Sequence, residues 1–330
     1  MIDYVHLSHR ISIPYDDFRW DLWHTGEDKK TGRQNYWHHQ RGVYLRYYPD
    51  IGEIIIDGKI LTLLYDTQVL NVDDMYGADI DAFISDINDY LSSLFYTHLL
   101  NIRSFYVMRI DYCINVKTSY VRDYLDFMNA AFRAVDKGKR INYTVENGLS
   151  GSVYIKTKSD YDNNTRRNYV MNFYDKADWL QNKLEEGWSF SIGDIEEATS
   201  ILRLEAQCGG GIIRMLVKKH GIKRTFGDML SFRLSYEAIE HVYHLVLKGN
   251  AACDYYTYAA AKPLVPKGAP AEALKKLAQN NRTKISAYCA DKIKQAGVYP
   301  YHFIPSGSPV KHLENPLVLI RRKLADIGLD

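Results

Sequence analysis

Three stretches of strict alternation constrain this chain more than any other feature. From Phe105 to Val116, the residues Tyr106, Met108, Ile110, Tyr112, Ile114 and Val116 fall on one side of an extended strand, with Arg109, Asp111, Cys113 and Asn115 on the other. Ile201 to Cys208 sends Leu202, Leu204 and Ala206 one way and Arg203, Glu205 and Gln207 the other. Tyr169 to Lys176 puts Asn172, Tyr174 and Lys176 on a shared row before the chain turns into Ala177-Asp178-Trp179-Leu180. A period of two is a strand period. Laid side by side, the three strands predict a sheet with one apolar face and one exposed chemical face.

The rest of the chain supplies cover for that sheet. Phe83, Ile84, Ile87, Leu91, Leu94 and Phe95 recur at helical spacing and predict a helix over 80–100. Ser119 is placed to cap a second helix, running to about Val135 with Val121, Leu125, Met128 and Phe132 buried, and Asp175 to cap a third over 177–184. Gly42 to Leu64 reads as two strands turning at Asp57-Gly58, and Gly151 to Lys158 as a further strand. Gly187 to Gly193 reads as a loop. After Gly209-Gly210-Gly211 the pattern turns helical, first over 212–220 with Gly221 as the stop, then from Phe226 to about Lys248. Tyr255 to Pro270 has the prolines and glycine of a linker, and a basic helix is expected from about Ala271. The first forty residues show no clear period, although they hold Trp20, Trp23, Trp37 and five histidines. The expected architecture is therefore α+β: an antiparallel-rich central sheet with helices on its apolar face over residues 1–208, followed by a helical, basic region over 209–330.

With 330 residues and 46% hydrophobic content, the chain can bury a full core. It has neither an apolar run long enough to span a bilayer nor the basic-then-apolar start of a signal peptide. Cys113, Cys208, Cys253 and Cys289 are far apart, which argues against a disulfide framework or a zinc knuckle and for a reducing cytoplasm. The net charge of +2 conceals an asymmetry, because 262–330 carries twelve Lys/Arg against five Asp/Glu. Such a tail suits contact with a polyanion, or else is a solvated helical surface.

The polar rows together present Arg109, Asp111, Lys156, Asn172, Tyr174, Lys176, Arg203, Glu205 and Gln207. Two carboxylates on neighbouring strands suit a hard divalent cation such as Mg²⁺ or Mn²⁺ held against a phosphate. A phenol near that ion is a nucleophile for phosphorus, with lysine or arginine offsetting charge in the transition state. The plainer reading is of cross-strand ion pairs, Arg109 with Glu205 or Asp111 with Arg203, beside a half-buried strand tyrosine. The histidine pairs His6/His9 and His38/His39 are candidate metal ligands or ordinary surface and core residues, and the triple glycine is either a phosphate cradle or a joint.

At these residues the chain resembles the gene II/X replication initiators of filamentous phages and related plasmids, distant kin of rolling-circle plasmid initiators and some relaxases, with an HUH-endonuclease-like fold. Met108-Arg109-Ile110-Asp111 resembles the family's Arg-Ile-Asp strand and Gly151-Ser152-Val153-Tyr154 the strand after it. Asn172-Phe173-Tyr174-Asp175-Lys176 is similar to its tyrosine-lysine box, and Leu202-Arg203-Leu204-Glu205-Ala206 to its Arg-Phe-Glu-Ala strand. The likeness covers roughly 106–232, with Leu216 to Gly221 and Phe226-Gly227-Asp228 resembling the helical continuation.

The resemblance implies a site-specific, metal-dependent DNA nickase that starts rolling-circle replication. Tyr174 would be the nucleophile that keeps the 5′ phosphate, Lys176 a phosphate contact, and Asp111 and Glu205 metal ligands. Arg109, Lys156, Arg166, Arg167 and Arg203 would bind the DNA, with Trp179, Tyr154 and Tyr161 available to stack on bases. Its partners would be phage or plasmid origin DNA, single-stranded or extruded, and host helicase or other replication proteins in a bacterial cytoplasm. A relaxase or transposase with the same chemistry, or a non-enzymatic origin-binding protein, are the alternatives. The chain departs from the wider initiator class in having no His-x-His spacing, and Glu53, Asp57 and Asp66 all stand near the place of a further acid.

Overall fold

The computed structural model describes residues 1–64, 78–125, 140–144, 152–157, 169–187, 192–247, 265–278, 286–295 and 316–326. Among the described residues it is an α+β structure with ten strands, divided into two units. The first unit comprises Met1–Asn115, Gly187–Glu197 and Glu205–Ile239, and the second Val116–Glu186, Ala198–Leu204 and Glu240–Asp330.

In the first unit the strands are β1 (Ile2–Arg10), β2 (His24–Glu27), β3 (Gln34–Gln40), β4 (Val43–Tyr48), β5 (Glu53–Gly58) and β6 (Tyr106–Lys117, in this unit up to Asn115). They lie in the order β2-β3-β4-β5-β1-β6, followed by the Glu205–Cys208 part of β10 (Ile201–Cys208). The stretch without a legible period therefore holds an interior strand, β1, antiparallel to β5 on one side and to β6 on the other. Val5 and Leu7 are buried while Tyr4 and His6 turn the other way, so the alternation exists but runs over polar and aromatic residues that hide it.

The strand β6 departs from its expected parity. His6 pairs with Arg109 but Leu7 with Val107, so Met108 is an extra residue at a bulge. Val107 is consequently buried beside Ile110, whereas Tyr106 and Met108, expected on the apolar side, are exposed. A second bulge lies where Ile2 pairs with Tyr112 and Tyr4 with Asp111.

Asp57-Gly58 is not the hairpin turn. The turn between β4 and β5 is made by 49–52, with Gly52 at φ 58°, and Asp57-Gly58 ends β5. Glycine is needed at 58 for another reason: a Cβ there would lie 2.7 Å from the Gly42 carbonyl oxygen and 2.8 Å from Val43 Cα.

The first helix runs Ala78–Ser92 and ends earlier than its apolar spacing suggests. Asp17 captures the following chain, its carboxylate accepting from the Thr97 backbone N–H (2.6 Å), the Thr97 hydroxyl (2.7 Å) and the His98 N–H (3.0 Å). Phe95 is thereby turned into a cluster centred on Phe18, whose ring lies 5.1–5.3 Å from those of Trp23, Tyr36, Tyr47 and Phe95. These aromatic contacts, the burial of Phe83, Ile84, Ile87 and Leu91, and the Trp23 Nε1–H bond to the Leu94 carbonyl (3.0 Å) form the core under β3–β5.

The helix Gly210–His220 ends at Gly221 in the left-handed region (φ 63°), as its sequence predicts. The long helix expected from Phe226 is instead two, Phe226–Met229 and Phe232–Leu247, broken at Leu230.

The second unit has β7 (Arg140–Thr144), β8 (Ser152–Thr157) and β9 (Tyr169–Asp175), with the order β10-β9-β8-β7 built on Ile201–Leu204 of β10. The strands β7, β8 and β9 pair antiparallel. Val121–Leu125 is helical as expected from Ser119 onward, with Val121 and Leu125 buried, while Met128 and Phe132 lie outside the described residues. The Gly187–Gly193 stretch gives way at Ile192 to a short helix, Ile192–Ala198. Helices Ala269–Ala278, Ala287–Gln295 and Pro316–Asp326 follow, the first close to the basic helix expected from Ala271, and most of the proline-bearing stretch before it lies outside the described residues.

Gly58→Ala is expected to cost roughly 2–3 kcal/mol, because backbone atoms must shift and the φ of 150° suits only glycine. Gly187→Ala, at φ 89° with nothing within 4 Å, is expected to cost about 1 kcal/mol. Urea midpoints at unchanged slope would measure both.

Candidate functional site

Tyr174 is the penultimate residue of β9, opposite Ser152 of β8, and Asn172 stands opposite Tyr154. The strand stops at Asp175, whose Oδ1 accepts from the N–H groups of Ala177 (2.9 Å) and Asp178 (3.4 Å) and so starts the helix Lys176–Glu185. Burial, with Asp178 next to it, pushes the Asp175 carboxyl above its usual range. Lys176 is thus the first helical residue and not the next member of a strand row.

That junction gathers aromatic and cationic groups around the phenol. The Trp179 ring lies 6.4 Å from the Tyr174 ring, and the Lys176 and Lys183 ammonium groups stand 4.5 and 5.8 Å from the indole. From β10, the Arg203 guanidinium carbon is 5.9 Å from the Tyr174 ring. These are cation–π distances, and each cation lends positive potential to the phenol's surroundings. Asn172 Oδ1, two residues before the tyrosine, is buried without a hydrogen-bond partner among the described residues.

The expected exposed chemical face is not exposed. Tyr174 has 3% of its surface accessible, Lys176 2%, Arg203 1% and Asp111 1%, and Asn172 and Glu205 are buried with them. The alternation reports which residues share a row, but a row of mixed charge can be sealed once opposite charges answer one another.

Arg109, Asp111 and Glu205 belong to the first unit. Arg109 grips Asp111 with both prongs, Nε to Oδ1 at 2.8 Å and a terminal nitrogen to Oδ2 at 2.5 Å. The partner is therefore the acid two residues along the same strand, in place of either cross-strand pairing expected from sequence. Glu205 adds its negative charge to the field that holds Arg109 protonated. Burial pushes the Asp111 carboxyl up to about 6, against the pull of Arg109, with Asp3 raising it further and Lys59 lowering it.

Of the neighbours on β1 and β5, the sequence offered His6 as a candidate metal ligand and Asp57 among the candidates for a further acid, and Tyr4 was missed. Tyr4 donates its hydroxyl to Asp57 Oδ1 (2.8 Å), His6 Nδ1 lies 3.2 Å from the same oxygen, and Arg109 sits 4.8 Å from the Tyr4 ring. The available signal was the Tyr4, His6, Ser8 alternation against Val5 and Leu7.

Asp111 as held here fits an ion pair and not a divalent cation. Both carboxylate oxygens are engaged by the guanidinium, so an Mg²⁺ or Mn²⁺ ion requires Arg109 to release them. Among the described residues no group of three or more His, Cys, Asp and Glu side chains is placed to hold a metal. Lys156 occupies β8 opposite Val170, and Arg166, Arg167 and Tyr161 lie outside the described residues. Cys113, Cys208 and Cys289 are buried, and none of them forms a disulfide among the described residues. No described helix is long and apolar enough to cross a membrane.

Comparison with protein-family models, curated proteins and solved structures finds no match for this chain.

A carboxyl raised from 3.8 to about 6 by folding contributes stability that is full below pH 3.8 and lost as pH rises through 6. Asp111→Asn removes that titration. The stability of the parent relative to this variant is expected to fall by on the order of 2–3 kcal/mol between pH 4 and pH 7, as read from urea unfolding at each pH. A constant difference across that range would mean that the folded carboxyl titrates at its ordinary value.

Proposed function

We propose that this chain nicks and rejoins single-stranded DNA in the manner of a rolling-circle replication initiator, with Tyr174 as the nucleophile. The observation that carries the reading is the strand-to-helix junction at Asp175, which fixes Tyr174 beside Arg203 and the Lys176/Trp179 pair. A phenol attacking a phosphodiester needs a low-mobility mount and cations for the extra negative charge of the transition state. In this step Tyr174 Oη bonds to phosphorus and the bond from phosphorus to the 3′ oxygen breaks. The phenolic proton is lost and the departing oxygen gains one, which leaves a 5′-phosphotyrosine link and a free 3′ hydroxyl.

Arg203 and Lys176 are the residues assigned to the phosphate, with Arg109, Lys156, Arg166 and Arg167 as further DNA contacts. Asp111 and Glu205 are the proposed acids of a metal site that forms only when Arg109 gives way. The basic helical region, 209–330, is proposed to contact origin DNA or a host replication protein.

The burial of Tyr174 favours a second reading, in which the same face is a packed remnant and the protein binds an origin without cutting it. One experiment separates them. Protein is incubated with circular single-stranded DNA carrying the sequences that flank its gene, with Mn²⁺, Mg²⁺ or chelator, and denaturing gels are searched for a protein–DNA band. The expected result is a band whose peptide maps to Tyr174 and is abolished in Tyr174→Phe, with DNA affinity changed by no more than a few fold. Tight binding without a band under any ion would establish the second reading, and full cleavage by Tyr174→Phe would move the role to another tyrosine, Tyr169 first.

A further inference from the structure

We propose that the outer face of the β2–β6 sheet in the first unit is a stacking platform for single-stranded DNA. The registers align six residues in one row across the sheet: His24, Trp37, Arg46, Ile55, Ser8 and Tyr106. The next row holds His39, Tyr44, Asp57, His6 and Arg109. Directly opposed residues share a face, and this one lies opposite the face that buries Leu45, Tyr47, Ile54 and Ile56.

Its rings are both held and open. Tyr44 is 39% accessible, with the His39 ring nearly parallel to it at 4.2 Å and the Arg46 guanidinium carbon 5.0 Å from its centre. His24 lies 4.6 Å from the Trp37 ring. At the far end of the row Tyr106 is 43% accessible beneath Arg224, whose guanidinium carbon is 4.6 Å from the ring. Arg224 is fixed there by donating to the carbonyls of Val107 (2.6 Å) and Met108 (3.3 Å). Four strand spacings separate Trp37 from Tyr106, about 19 Å, which is room for several nucleotides laid across the strands.

The occupant follows from the chemistry. Neither Arg46 nor Arg224 forms an ion pair among the described residues, so both retain charge for phosphate, and each stands over a ring on which a base can stack. Bases in a duplex keep their faces to one another, so such rings select a single strand. A protein partner would want a continuous apolar patch, and the middle of this face is Ile55 among Asp57, Ser8 and His6. The inference rests on the reading of the preceding subsection for the choice of DNA.

The test is fluorescence anisotropy of fluorescein-labelled (dT)₁₂ with the whole chain at about 50 mM salt, each variant first checked for the parent's unfolding midpoint. Trp37→Ala and Tyr44→Ala are each expected to weaken binding roughly tenfold, within the range that stacking commonly contributes. Tyr44→Phe, which keeps the ring, should bind as the parent does. Arg46→Gln should reduce the slope of log affinity against log salt by about 0.7. Parent-like affinity in both alanine variants, or no binding of (dT)₁₂ by the parent, overturns the proposal. The two readings fail differently: alanine variants should recover the covalent band at saturating DNA, whereas Tyr174→Phe should lack it at every concentration.

Discussion

The bidentate pair between Arg109 and Asp111 sets the terms for the polar side of the first unit. A carboxylate taken out of water costs several kcal/mol unless it is answered at hydrogen-bond distance, and here one guanidinium answers both oxygens. Because β6 runs next to β1, the same guanidinium also lies over the Tyr4 ring, and the Tyr4 hydroxyl in turn donates to Asp57, which His6 also approaches. The cluster is thus a chain of dependencies: Arg109 opposes the burial that raises the Asp111 pKa, and the bulge at Met108 sets Arg109 opposite His6 while Val107 turns into the core opposite Leu7.

In the second unit the comparable element is the cap at Asp175. One carboxylate both ends β9 and begins the helix, so the tyrosine before it and the lysine after it are placed by backbone geometry, not by long flexible side chains. That economy suits a nucleophile. It also explains why Lys176 can be buried: its ammonium lies on the Trp179 ring, one turn along the helix it opens. Lys183 reaches the same ring from the next turn, so Trp179 is the shared anchor of two cations.

The rings of the β2–β6 face share their side of the sheet with the Arg109 group, since Tyr44, Asp57, His6 and Arg109 stand in one row. There Tyr44 and Tyr106 are braced by histidine and arginine and left partly open to solvent.

Much of this was legible in the residues. The strands over 152–157, 169–175 and 201–208 follow from alternation, the helix over 210–220 from its spacing and Gly221, and the start of the helix after Asp175 from its capping residue. These are local effects, fixed by φ/ψ preference, hydrogen bonds between near neighbours and the side on which successive residues point. What only the tertiary structure decided is pairing and depth. β1 became an interior strand because β5 and β6 close on it, Asp57-Gly58 became a strand end because Gly42 and Val43 crowd it, and the polar rows became buried because their charges found partners. Alternation says which residues share a face; whether water reaches that face depends on contacts between residues far apart in the chain.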